Sequence, residues 1–84
     1  MKYRIEIKLS ARKSMLALSK DLQQRLHHAI VKLAEQPRPA GMIKLTGDDL
    51  YRVRIGDYRV IYEIHDNQLL ILVVKVGQRS AVYR

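Results

Sequence analysis

Residues 50–64 read LYRVRIGDYRVIYEI, two alternating runs on either side of a Gly-Asp pair. Side chains of a strand point to opposite faces in turn, so Arg52 and Arg54 fall on one face and Tyr51, Val53 and Ile55 on the other. Gly56-Asp57 is a two-residue connection of the kind that joins antiparallel strands, with glycine supplying a positive φ free of steric penalty. The second run places Tyr58, Val60, Tyr62 and Ile64 on one face and Arg59, Ile61 and Glu63 on the other. Pairing the apolar faces brings Arg59 to Arg52 and Arg54, which puts three arginines on one side of a sheet. Fixed positive charge at that density needs a negative counterpart, and a phosphate backbone is the commonest one.

The chain has 84 residues, enough for one core and one site, so residues 1–84 are read as a single domain. Sixteen Lys and Arg against eight Asp and Glu give a net charge of +8, which favours nucleic acid, an acidic protein or an anionic membrane as partner. Residues 1–40 carry nine basic and three acidic side chains and residues 41–84 carry seven and five, so no detachable tail accounts for the excess. The absence of cysteine rules out disulfides and thiolate metal sites and fits a reducing cytoplasm. No apolar run approaches a membrane span, and Met1-Lys2-Tyr3 leads into a strand pattern in place of a signal peptide. A soluble cytoplasmic protein with no membrane partner is expected.

Upstream of the hairpin, residues 3–9 alternate Tyr3, Ile5, Ile7 and Leu9 with Arg4, Glu6 and Lys8, the pattern of a half-buried strand. Ser10 follows as an N-cap for a short helix through Met15, Leu16 and Leu18. Asp21 with Gln24 three residues on reads as a capping box opening a second helix. Leu22, Leu26, Ala29, Ile30, Leu33 and Ala34 recur at three- and four-residue spacing, so this helix lays one apolar stripe on a flat surface, and Pro37 and Pro39 end it. Residues 42–46 lead through a Gly-Asp-Asp turn into the arginine hairpin. Asp66-Asn67 then turns the chain into residues 69–76, apolar on both faces and therefore a central strand. The fold class expected is α+β: an N-terminal strand, a two-helix hairpin, then three antiparallel strands in a twisted sheet with the helices on one face.

The closing octapeptide GQRSAVYR, residues 77–84, leaves the last strand through a glycine and presents Arg79 and Tyr83 beside the end of the sheet. Such a pair can hold a phosphate and stack a base, the usual grip on unpaired RNA. The plainer alternative is a solvated tail with one packed tyrosine.

Lys44-Leu45, Tyr51-Arg52-Val53-Arg54, Gly56-Asp57-Tyr58-Arg59-Val60-Ile61-Tyr62 and Val76-Gly77-Gln78-Arg79 through Val82-Tyr83 together resemble the signature of the RelE/ParE toxin superfamily. More narrowly they resemble RelE-type mRNA interferases, the toxins of type II toxin–antitoxin systems, and the resemblance runs over essentially the whole chain. It implies a RelE-like fold and a ribosome-dependent endoribonuclease that cuts messenger RNA by attack of the ribose 2′-hydroxyl on the adjacent phosphate. It further implies no metal or other cofactor, and a cognate antitoxin that silences the protein in a tight complex. Carried over by position, Arg52 and Arg54 match the two basic residues of the first hairpin strand, and Arg59 the phosphate-binding arginine of the second. Arg79 matches the arginine that assists the leaving 5′-oxygen and Tyr83 the aromatic that stacks on the nucleotide, with Lys44 a further RNA contact. One departure matters. Positions 52 and 54 are often lysine in relatives, where the second serves as proton acceptor, and arginine does not give up its proton in proteins. The arginines are therefore expected to act by stabilising charge.

Other residues weigh less. His27 and His28 are adjacent on a helix and point about 100° apart, which disfavours a shared metal site. His65 shares the alternation of Arg59, making it a minor proton-acceptor candidate against the plainer reading of a turn-flanking histidine. Glu63, on the same face, is expected to orient an arginine through an ion pair. Asp48-Asp49 reads as a solvated loop, and Tyr58 and Tyr62 as core. The competing functional class is a ParE-like toxin, which lacks nuclease chemistry and binds DNA gyrase; retention of Arg79 and Tyr83 favours the ribonuclease. A third class, an inactive relative that only binds RNA or protein, is left open by the arginines at 52 and 54.

Overall fold

The computed structural model describes residues 2–45 and 49–78. Strand β1 (Arg4–Ile7) is followed by helices α1 (Leu9–Leu16) and α2 (Lys20–Leu33). Strands β2 (Ile43–Lys44), β3 (Leu50–Ile55), β4 (Tyr58–His65) and β5 (Leu70–Gln78) follow, with a single 3₁₀ turn at Asp66–Gln68 between the last two. They form one sheet in the order β1-β5-β4-β3-β2. The pairs β3–β4 and β4–β5 are antiparallel, as are β2–β3, while β1 lies parallel to β5 from Arg4 opposite Leu70 to Ile7 opposite Val73. The α+β reading with the helices on one face therefore holds, with two additions. One is the two-residue strand β2, too short to show a period. The other is the parallel β1–β5 pair, whose long connection runs through both helices and the strands β2–β4.

Leu26, Ile30 and Leu33 of α2 are buried against Val60, Tyr62 and Ile64 of β4 and Ile71, Val73 and Val76 of β5, with Tyr51, Val53, Ile55 and Tyr58 packed around them. The apolar faces of the hairpin thus meet the helices, and the stripe read along α2 is the surface that does so. Between Ile61 and Tyr62 the register against β5 slips by one, from Lys75 to Val73. Val74 is the extra residue of a β-bulge, which keeps both Val76 and Val73 on the helix side.

Three local expectations are corrected. Leu9 does not extend β1: it opens α1 and is two-thirds exposed, because the chain bends at Lys8, whose extended backbone (φ −58°, ψ 148°) is the N-cap. Ser10 is consequently inside the first turn of α1 and is not its cap; its carbonyl accepts the Ser14 hydroxyl at 3.1 Å. The cap of α2 is Ser19, whose Oγ accepts the Leu22 amide at 3.3 Å, so Asp21 lies within the first turn, where its charge suits the helix dipole.

Candidate nucleic-acid interface

The hairpin register is built as the alternation requires. Gly56 has φ +60°, and Ile55 faces Tyr58, Arg54 faces Arg59, Val53 faces Val60 and Arg52 faces Ile61. Paired residues share a face, so Arg54 and Arg59 stand directly opposite one another and Arg52 lies one same-face step along the strand, all three on the side away from the helices. Like charges directly opposite each other destabilise a strand pair. Arg59 also faces Gly77 on β5.

The three arginines differ in exposure. Arg54 is open to solvent, Arg52 is half-buried, and Arg59 is only 2% exposed, the buried charged residue of the described core. Burial removes the conformational freedom that an exposed arginine keeps, so Arg59 presents a fixed charge. Arg54, Gly56, Asp57 and Arg59 line a recess of about 60 Å³ at the hairpin end. A recess of that size admits a water or a phosphate oxygen but not a nucleotide. Among the described residues Asp57 is the one carboxylate of its lining and partly offsets the positive charge.

The remaining candidates are distributed differently. Lys44 is exposed on β2, but it pairs with Tyr51 and so shares the face opposite the arginines. Glu63 lies four residues from Arg59 along β4 and meets His65 Nε2 at 2.8 Å, in place of the arginine expected for it. His65 is six residues from Arg59, roughly 20 Å along an extended strand, which removes it as a proton acceptor at the arginine recess. Arg79 and Tyr83 lie outside the described residues, as does Asp48. His27 and His28 sit on the exposed side of α2, and among the described residues no group of three or more His, Cys, Asp or Glu could hold a metal ion. No helix of the described residues is long and apolar enough to cross a membrane.

Two features were not read from the sequence. Between α1 and α2 runs an open groove of about 770 Å³, with Met15, Leu16 and Val31 among its apolar lining and Arg12, Lys20 and His27 among its polar one. Leu16 and Val31 are 65% and 45% exposed. At the far end of the sheet, Asp66 accepts a hydrogen bond from the Tyr3 hydroxyl at 2.5 Å and two from Arg38, at 2.9 and 3.4 Å. The Arg38 guanidinium also stands 5.7 Å from the centre of the Tyr51 ring, which in turn tilts against Tyr62 at 6.0 Å. Arg38 and then Tyr3 hold the Asp66 carboxyl below its ordinary range, and the bond to Asp66 raises the Tyr3 hydroxyl. Tyr62 donates to the Pro37 carbonyl at 2.8 Å, and burial pushes its hydroxyl up to about 12. The placement of Arg38 between Pro37 and Pro39 was the signal available for this cluster.

Comparison with known proteins settles the family. The profile of the "ParE toxin of type II toxin-antitoxin system, parDE" matches residues 5–83. The chain belongs to the RelE/ParE toxins of type II toxin–antitoxin systems. Among its relatives within that family are proteins of the RelE kind. A RelE-like toxin protein of Escherichia coli is 33% identical over 99% of this chain and 92% of its own length. The mRNA interferase toxin RelE of Escherichia coli K12 is 30% identical over the same shares. In the crystal structure of the archaeal RelE–RelB complex from Pyrococcus horikoshii OT3, a chain 35% identical superposes with a TM-score of 0.85, covering 94% of this chain and 97% of that one.

Proposed function

We propose that this toxin is a ribosome-dependent endoribonuclease that cleaves messenger RNA without a metal ion, and that a cognate antitoxin holds it silent. The observation that carries the reading is the Arg54–Arg59 pair: two like charges kept in cross-strand register, one of them buried, beside a recess that fits a phosphate oxygen. Two guanidinium groups brought to one end of a hairpin suit the non-bridging oxygens of a phosphate, which accept charge-assisted hydrogen bonds from such donors. The likeness to RelE, named an mRNA interferase, supplies the substrate class.

In the proposed reaction the ribose 2′-oxygen attacks the adjacent phosphorus. A P–O2′ bond forms, the P–O5′ bond breaks, and the fragments carry a 2′,3′-cyclic phosphate and a free 5′-hydroxyl. Arg52, Arg54 and Arg59 stabilise the charge that builds on the non-bridging oxygens, and Arg79 hydrogen-bonds the departing 5′-oxygen. The proton shed by the 2′-hydroxyl ends on that oxygen, carried by solvent or by RNA, because arginine does not accept it. Tyr83 stacks on a base and sets the in-line geometry, to which the ribosome also contributes. Lys44, on the opposite sheet face, contacts RNA only where the strand wraps the β2 edge.

The α1–α2 groove, with its apolar lining and basic and histidine side chains, suits an amphipathic antitoxin segment carrying acidic side chains that folds on binding. Known chains of this fold are found with RelB partners, as in the Pyrococcus complex. The deciding experiment is induction in cells of the wild type and of Arg59→Ala and Arg79→Ala, with RNA 5′ ends mapped across the transcriptome. New ends confined to translated frames with wild type, lost with both variants, are expected; removal of one such donor costs on the order of 10²–10³ in rate. Growth arrest with messages intact and impaired supercoiling would place the protein with the gyrase-binding toxins instead.

A further inference from the structure

Arg25 belongs to α2 but its guanidinium does not stay there. It lies one residue before buried Leu26 and three after half-buried Leu22, at the margin of the stripe that faces the sheet, so its stem starts beside the hairpin. Its Nη2 comes within 3.3 Å of the point where a side-chain Cβ on Gly56 would stand. Gly56 forms the turn, and the same residue lines the recess with Arg54, Asp57 and Arg59. Arg25 is thus a cation that α2 brings to the turn of the arginine hairpin.

Its placement runs against its local options. Asp21 stands four residues earlier on the same helix, the spacing at which an Asp–Arg pair stabilises an exposed helix by a few tenths of a kcal/mol. Asp57 is adjacent to Gly56. Among the described residues Arg25 nevertheless forms no ion pair with either; the salt bridges are Lys2–Glu35, Arg4–Glu6, Arg38–Asp66 and His65–Glu63. A guanidinium that leaves a helical carboxylate and settles over a turn between two other arginines adds to like-charge repulsion. A guanidinium carries five donors, and an anion over the turn would relieve that repulsion.

Resting on the ribonuclease reading, we propose that Arg25 is a phosphate-positioning residue, which holds a backbone phosphate of the RNA strand next to the one that Arg54 and Arg59 embrace. It aligns the strand across the hairpin turn and takes no part in the bond changes. The glycine at 56 then serves twice, in permitting the positive φ and in leaving the guanidinium its seat.

The test measures binding of the intact protein to a short single-stranded RNA, 2′-O-methylated so that it cannot be cut, at several salt concentrations. Arg25→Gln keeps a good helix former at an exposed site, so the fold is retained, which an unchanged melting temperature checks. Expected are weakening of roughly three- to tenfold and a logarithmic salt slope shallower by about 0.7, the signature of one phosphate contact on a single strand, with Arg25→Lys keeping the wild-type slope. An Arg25→Gln protein with wild-type affinity and slope, or a wild type that does not bind the RNA, overturns the proposal. If the wild type shows the Arg25-dependent slope but leaves ribosome-bound message uncut, the contact stands and the ribonuclease reading falls.

Discussion

Arg54 and Arg59 show at the scale of single residues how the proposed site can oppose the fold that carries it. Their Cα atoms are cross-strand partners, a placement in which two like charges cost up to about 1 kcal/mol relative to a neutral pair where nothing compensates them. Only Arg54 of the two is exposed, so it can be replaced without opening a buried space. Arg54→Thr, which puts a good strand former opposite Arg59, is therefore expected to raise the melting temperature by a few degrees while lowering cleavage of ribosome-bound message by at least tenfold. A variant that is less stable than wild type would show that the pair is not in net repulsion. The same residues mark how far the sequence was legible. Period-two alternation was enough to place Arg52, Arg54 and Arg59 on one face, because alternation is a local property. It could not show that Arg59 is buried and Arg54 open, since Arg59 lies on β4 between two strands while Arg54 lies on β3 nearer the sheet edge. Nor could it show Arg25 over Gly56, a reach of one long side chain between elements 31 positions apart in the chain.

Between elements, the Asp66 cluster fastens the ends that the sheet leaves loose. Tyr3 precedes β1, Arg38 lies in the loop after α2, Asp66 opens the turn between β4 and β5, and three hydrogen bonds join them. Asp66 is exposed in part, but its carboxyl is depressed by Arg38 and Tyr3. A depressed folded value means that the unfolded chain takes up the proton first as pH falls. The stability contributed by Asp66 is thus complete above the ordinary aspartate value of about 3.9 and is lost as pH drops through the lower folded value. Asp66→Asn should melt below the wild type at pH 7, and the gap should close as pH is lowered through the acidic range; a gap that stays constant with pH would assign the effect to packing. Elements also divide into those the sequence revealed and those it did not. The α2 stripe and the β3–β4 turn were legible because each carries its own period or turn chemistry. Leu9 continued an alternation that the backbone had already abandoned at Lys8, and β2 has two residues and no period. In β5, apolar on both faces, no pattern marked the bulge at Val74, since a register slip there exposes nothing polar.

The whole molecule carries +8 on 84 residues, and its two uses of that charge respond to salt with opposite sign. Among the described residues the ion pairs are few and lie at exposed or half-exposed positions, so screening them removes little stability. Screening the net repulsion removes a larger unfavourable contribution, because at 0.1 M salt the Debye length of about 10 Å is shorter than most separations across a domain with principal extents of 34, 25 and 24 Å. Raising sodium chloride from 50 to 300 mM should stabilise the free toxin by about half a kcal/mol, or roughly 2–4 °C in melting temperature for a domain of this size. The proposed RNA binding should move the other way, since each neutralised phosphate on a single strand adds about −0.7 to the logarithmic salt slope. Calorimetry of the free protein and RNA titrations in the same buffers provide the comparison. A melting temperature that falls with salt would mean that specific ion pairs outweigh the net repulsion. In the expected case, the charge that weakens the free toxin is the charge that draws it to its anionic partners, and an acidic antitoxin segment would then stabilise the fold in the course of silencing it.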